Sequence, residues 1–269
     1  MRFAIDGRFI QDHFPGIGRY THDLIHALAR VAPDDTLIVL HNPKLRNTHY
    51  DVSGFAHYPN IELRRVNVPT FSVREQFRLL PRGMGAALLH SPYYVKPYFV
   101  RLPSVVTIFD LVPLFYPAAL PNASTRVLFR LTMELAVHTS TRIIVPSVST
   151  CEDLVRRLGV ARGKIDVIPL AADSRWVPAS ADEIARVREQ YALPRYYVLS
   201  VGINKPHKNL TTLVDAWQRM DRQEVALVIA GAWDSRYGGI RAQVEEQKDH
   251  RTGEIRFIHD VVDRDLVAL

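Results

Sequence analysis

The sequence predicts an α/β protein built of two Rossmann-like domains, the second incomplete, and three observations carry that expectation. Short β-rich runs alternate with helical patterns along the whole chain. A stretch rich in Pro, Ser and Asp, AADSRWVPASADE at 171–183, breaks the rhythm and reads as a boundary. After it the rhythm restarts with only about three strands, few for an open parallel sheet covered on both faces. The expected domains are therefore 1–172 and 173–269, and the chain is expected to be a fragment of a longer protein.

The elements follow in order. RFAID, TLIVLH, IELRRV, ALLH, SVVTIF, RIIVP and KIDVIP are the strand candidates of the first domain. Helices are expected at 18–30, 73–80, 122–139 and 147–158, each with apolar residues recurring three and four positions apart. In the second domain YYVLSVG reads as a strand, KNLTTLVDAWQRM as a helix and VALVIAG as a strand. A polar helix through 249 follows, then the strand IRFIH and a helix begun by DRDLVAL.

With 47% hydrophobic side chains over 269 residues, the chain can bury one large core or two modest ones, and disorder is not expected. MRFAID is not a leader, and no apolar run reaches the roughly 18 residues of a membrane span, so the expected location is cytoplasmic. Cys151 stands alone, which excludes an internal disulfide and a thiolate metal cluster. A net charge of +6 suits phosphate ligands, an anionic membrane surface or nucleic acid. The recognised RNA and DNA motifs are missing, so no nucleic-acid partner is expected.

Two stretches carry chemistry. The strand RFAID hands over to GRFIQDHFPGIGRY, which places glycines at the carboxyl end of a strand, where doubly wound sheets bind ligands. Glycine lets backbone approach a ligand closely, and helix-start N–H groups attract anions. Gly16, Ile17 and Gly18 are the expected floor of a phosphate or diphosphate loop, with Arg19 as charge partner; the same pattern also fits an ordinary turn with a surface arginine. The dinucleotide fingerprint lacks its third glycine, which argues against hydride transfer. In YYVLSVGINKPHKNL a strand ends in Gly202 and a helix is expected to begin near Lys208. Lys205 and Lys208 at that strand end can neutralise a departing diphosphate, or lie in solvent as surface lysines do.

Taken together, GIGRYTHDLIHAL, LLHSPYYVKP, VVTIFDLVPLFYP, IIVPSVSTCEDL, IDVIPLAAD and SVGINKPHKNL resemble, in order, segments of the retaining GT-B glycosyltransferases. That group includes many bacterial mannosyl- and glucosyltransferases of surface polysaccharides. The resemblance implies two Rossmann-like domains facing across a cleft, an acceptor bound by the first and a nucleotide-diphosphate sugar by the second. It also implies transfer with retention, without metal or cofactor. Lys208 matches the family lysine that contacts the phosphates, and Gly16 with Gly18 match the glycine loop.

This sequence departs from the family pattern at three places. Ile203 stands where many members carry an arginine, a charge Lys205 can supply. Phe109 stands where relatives often have histidine; Asp110 remains, either to orient an acceptor hydroxyl or to cap the next turn, and His90 can partly substitute. The EGFG-type segment that grips donor sugar and ribose is missing, so the chain as given is expected to have little activity. A noncatalytic binding module and a GT-B nucleotide-sugar epimerase are the alternative readings.

Arg74, Arg78 and Arg82 are spaced four apart beside Phe71, Phe77 and Leu80. This pattern fits either peripheral contact with the cytoplasmic face of an anionic membrane, as for a lipid-linked acceptor, or a solvated face whose apolar side packs into the core. His22, His26 and His138 are expected on helices without the partners of a metal site, and no metal is assigned.

Overall fold

The computed structural model describes residues 1–80, 83–116, 120, 122–172, 176–220, 223–246, 253–259 and 261–269. Arg82 and the 247–249 end of the expected polar helix lie outside them. The chain divides into two compact units, Met1–Ala171 and Ala172–Leu269.

The first unit runs β1 (Arg2–Asp6), α1 (Pro15–Val31), β2 (Thr36–His41), β3 (Ile61–Arg65), α2 (Glu75–Arg78), β4 (Leu88–Ser91) and β5 (Ser104–Thr107), then α3 (Val112–Phe115), α4 (Ala123–Thr139), β6 (Arg142–Val145), α5 (Val148–Leu158) and β7 (Ile165–Val167). Its strands form one parallel sheet in the order β3-β2-β1-β4-β5-β6-β7. The order turns outward in both directions from β1, with Ile5 opposite Val39 of β2 on one side and His90 of β4 on the other. The crevice beyond the carboxyl ends of β1 and β4 is therefore the topological switch point of the sheet.

Alternating side chains cover both faces. Ile5, Leu37 and Val39 pack with Ile25, Ala29 and Phe55 on one, and Ala4, Ile38, Leu40 and Leu89 with Leu79 and Met84 on the other. This two-sided burial is why the parallel strands read as nearly continuous apolar runs. A third cluster joins Val106, Ile143 and Val145 to Phe129, Met133 and Val137 of α4 and Leu154 of α5, and Cys151 is buried in it. Helix ends are set by local chemistry: Asn122 caps α4 and Ser147 caps α5, each accepting the N–H three residues on, and α5 stops at Gly159 with φ +62°.

The second unit runs α6 (Ala181–Gln190), β8 (Tyr197–Val201), α7 (Leu210–Gln218), β9 (Ala226–Ala230), α8 (Gly239–Glu246), β10 (Ile255–Ile258) and α9 (Asp263–Leu266). Its parallel sheet has three strands, β10-β9-β8. Val214, Trp217, Ile240 and Val244 cover one face, and Tyr191, Leu193 and Leu269 pack toward the other. Buried Asp265 accepts hydrogen bonds from Arg186, Gln190 and Tyr191, which ties α9 to α6.

Four expectations need correction. The first helix opens at Pro15, because proline at the first helical position has its φ already set. The expected 73–80 helix is a single turn, Glu75–Arg78. Helix α6 begins inside the segment read as a linker, launched by a reciprocal capping box between Ser180 and Glu183. Helix α7 starts at Leu210, after a 3-10 turn over Pro206–Lys208 and a left-handed Asn209. Among the described residues no helix is long and apolar enough to cross a membrane.

Candidate active site

At the switch point of the first unit the chain leaves β1 through Gly7, where a Cβ would press on the Leu40 carbonyl and the Val39 side chain, each at 2.9 Å. Arg8 then turns inward and is fully buried. Its Nε and Nη2 donate to both oxygens of Asp6 at 2.8 and 2.7 Å, Nη2 also to Glu75 Oε2 at 3.0 Å, and Nη1 to the carbonyls of Val68 and Pro69. All five guanidinium protons are thus engaged. Burial opposes the charge on Arg8, but Asp6 and Glu75 outweigh it and raise its pKa. Burial pushes the Glu75 carboxyl up to about 7, against the pull of Arg8 and with the Asp6 carboxylate adding to the rise. Sequence reasoning missed this triad. Its one signal was a charged pair flanking a glycine at a strand end, Asp6-Gly7-Arg8.

The triad fixes the turn that feeds α1. Phe14 precedes the helix without a side-chain cap, so the first-turn amides are not capped by a side chain and point out of the helix start, the geometry that attracts anions. Gly16, Ile17 and Gly18, expected as a loop floor, are instead helical. Gly16 borders open space, since a Cβ there would meet nothing within 4 Å. Gly18 is buried, and its Cβ would stand 3.0 Å from the Phe9 carbonyl and 3.4 Å from the Gln11 nitrogen. Its missing side chain therefore serves the packing of α1 on the Arg8 turn. Ile17 turns its side chain into the hydrophobic cluster containing Phe9, and Arg19 is half-buried on α1.

His90, at the end of β4, is buried, and burial lowers its pKa to about 4, which keeps it neutral at ordinary pH. Its Nε2 meets Thr107 Oγ1 at 2.9 Å, and the Tyr20 hydroxyl meets the same oxygen at 3.2 Å. This chain joins β4, β5 and α1, with Phe109 edge-on to Tyr20 at 5.0 Å between ring centroids. Thr107 and Tyr20 were not singled out from the sequence. Asp110 is exposed, and its Oδ1 accepts the Val112 N–H at 2.9 Å just before α3.

In the second unit Gly202, Lys205 and Lys208 lie in one loop at the carboxyl end of β8. Gly231 follows β9, and a Cβ there would stand 2.3 Å from the Gly202 carbonyl oxygen, so the two backbones pack directly. Gly202 itself has φ +157° and faces open space, leaving its backbone approachable. Asn204, buried, fastens the loop by donating to the carbonyls of Asp234 and Tyr237 and accepting the Asp234 N–H. Lys205 is half-buried within Coulombic range of Asp234, whose carboxyl is held low first by Arg236 and last by Lys205. Lys208 is exposed, and its N–H bonds the Lys205 carbonyl at 2.9 Å.

The family model of Glycosyltransferase Family 4 matches residues 15–176, more than half of the chain. The chain belongs to this family. The glycosyltransferase has the GT-B type of α/β fold, as its solved structural neighbours do. Sucrose-phosphate synthase from Thermosynechococcus elongatus is 18% identical with a TM-score of 0.67, over 100% of this chain and 72% of that one. HepE from Anabaena, solved with UDP-glucose, is 17% identical with a TM-score of 0.65, over 99% and 70%. WaaG, a glycosyltransferase involved in lipopolysaccharide biosynthesis, is 13% identical with a TM-score of 0.59, over 98% and 71%. No curated protein sequence matches the chain.

Proposed function

We propose that this family 4 glycosyltransferase moves a hexose, with retention of configuration, from a nucleotide-diphosphate sugar to a glycan or lipid-linked acceptor in surface polysaccharide or glycolipid synthesis. The observation that carries the reading is the β8 loop, where approachable Gly202 backbone stands beside two lysines in a loop locked by Asn204. A glycosyl transition state leaves negative charge on the departing diphosphate, and a preorganised cation there lowers the barrier. Lys208, exposed in that loop, takes that role, and half-buried Lys205 adds positive charge beside it. The second unit holds the nucleotide sugar and the first unit the acceptor. The exposed start of α1 at Gly16 offers an anion site, Arg19 adds charge, and Asp110 and the neutral His90 network shape the acceptor side.

The donor class draws support from HepE, solved with UDP-glucose. A panel of nucleotide hexoses, incubated with a full-length protein containing this chain and a lipid-linked glycan mixture, should yield nucleoside diphosphate and an α-linked product from an α-linked donor. An inverted product, or donor consumed to a free epimer with acceptor untouched, overturns the proposal.

The acceptor surface points to an anionic membrane face, reached from the cytoplasm. Phe71, Val73, Phe77 and Phe99 are 56, 78, 81 and 73% exposed, with Phe71 stacked on Phe14, while Leu79 and Leu80 pack inward. Arg74, Arg78 and Arg101 are exposed among them. Between Glu62 and Asp110 the sequence has one carboxylate, Glu75, and it is buried on Arg8. Gln76 bonds both the Lys96 carbonyl and the Tyr98 N–H, tying the Phe77 and Phe99 segments together. The protein should co-sediment with phosphatidylglycerol vesicles and not with phosphatidylcholine, and the Phe77→Ser, Phe99→Ser double variant should stay in solution. Equal recovery of the variant and the wild type on anionic vesicles removes this surface from the proposal.

A further inference from the structure

A second feature of the first unit lies outside the chemistry proposed above and does not depend on it. His22 and His26 stand four residues apart on α1, so their rings share one helix face. Their Nε2 atoms approach to 3.2 Å. Two imidazole nitrogens on one tetrahedral zinc ion, at bond lengths of about 2.0–2.1 Å, stand roughly 3.3–3.4 Å apart. The ring centroids are only 4.5 Å apart, so the rings bend toward a common point instead of lying in line as a strong N–H···N bond prefers.

The outer nitrogens are held as well. His22 Nδ1 lies 2.9 Å from Asp23 Oδ1, and because an ionised carboxylate only accepts, the ring proton sits on Nδ1 and the Nε2 lone pair faces His26. His26 Nδ1 lies 3.1 Å from the Tyr58 hydroxyl. A carboxylate and a hydroxyl behind two imidazoles are the outer partners that fix tautomer and ring orientation in metal sites. Phe55 packs against both rings, at 5.4 and 4.9 Å between centroids, and keeps them from rotating apart.

We propose that His22 and His26 chelate one divalent transition-metal ion of the zinc, nickel or copper class. The same i, i+4 histidine spacing on a helix serves zinc elsewhere, and imidazole selects these ions over magnesium or calcium. Among the described residues no group of three or more His, Cys, Asp or Glu side chains converges, so water fills the remaining positions and the site is a two-nitrogen chelate.

The proton bookkeeping closes. Without metal, Tyr58 donates to His26 Nδ1, and His26 Nε2–H donates to His22 Nε2. With metal, the His26 proton moves to Nδ1 and is donated to the Tyr58 oxygen, which frees the second Nε2 lone pair. No net proton is released when both rings are neutral. These outer partners are not visible in the sequence, because Tyr58 and Phe55 reach α1 only through the fold.

The test is calorimetric titration of the full chain with zinc chloride at pH 8 in a phosphate-free buffer. One equivalent should bind. His22→Gln and His26→Gln should each weaken binding at least tenfold, and Asp23→Asn by about tenfold, the scale of removing an outer partner. His138→Gln on α4 should bind as the wild type does. Circular dichroism in EDTA should be the same for all five proteins, which separates lost ligation from lost folding. Absence of zinc binding, or binding unchanged in His22→Gln, overturns the proposal, as does binding lost in His138→Gln with both α1 histidines intact.

Discussion

Replacing Arg8 with methionine should lower the unfolding free energy by about 3–5 kcal/mol, the scale of breaking a buried ion pair by removing one partner. The loss is large because methionine fills much of the volume but leaves two carboxylates and two carbonyls without the donors they now share. Urea denaturation followed by circular dichroism measures it, and a loss under about 1 kcal/mol would mean that water or a rearranged side chain can replace the guanidinium. A triple variant, Asp6→Asn, Arg8→Met and Glu75→Leu, should recover part of the loss, because replacing all the charges together strands none of them. Glu75 adds a pH signature of definite sign. Its folded pKa of about 7 lies above the ordinary 4.5, so between those values the folded state binds more protons than the unfolded one. Stability relative to Glu75→Gln should accordingly fall as pH rises from 4.5 to 7.

That triad also marks where sequence reading stopped. Most strands were legible as apolar β-rich runs, and β1, β2 and β9, buried along most of their length, show it most plainly. Most helices were legible from their period. Their starts were not, since the opening of α1 depends on Pro15 and the placement of Gly18 on a carbonyl, Phe9, nine residues earlier in the chain. Helix α6 was hidden by the Pro and Ser before it, although Ser180 and Glu183 spell its capping box.

Residues expected at the candidate site did fall at strand ends: His90 at the end of β4, Asp110 after β5, Gly202 after β8. What composition cannot show is which partner each side chain meets. His90 meets Thr107 seventeen residues away, and Arg8 meets Glu75 sixty-seven residues away. Such pairings exist only once parallel strands have brought distant segments to one edge. The two glycines of the β8–β9 edge make the same point, since Gly231 is required by the backbone of Gly202 whereas Gly202 is left open.

In a full-length protein containing this chain, Lys208→Ala should lower turnover by on the order of a hundredfold, the scale of removing one preorganised electrostatic contact to a developing anion. The reasoning follows from where the lysine stands. It is exposed, its backbone N–H bonds the Lys205 carbonyl, and neither the Asn204 clamp nor the Gly202–Gly231 contact involves its side chain. The variant should therefore melt as the wild type does, so that a lost rate reports chemistry and not folding. If the ammonium acts on the leaving diphosphate, the loss appears mainly in kcat, because charge on that group grows only as the glycosidic bond breaks. Lys208→Arg should recover little, since a planar fork cannot place its charge where a compact ammonium does. Lys205→Ala should cost less, because Lys205 is half-buried and lies toward Asp234 instead of standing open to solvent as Lys208 does. A Lys208→Ala enzyme with unchanged kcat would move the diphosphate contact elsewhere in the loop. A loss confined to KM would assign Lys208 to holding the donor in the ground state, where equal binding of substrate and transition state leaves the chemical step untouched.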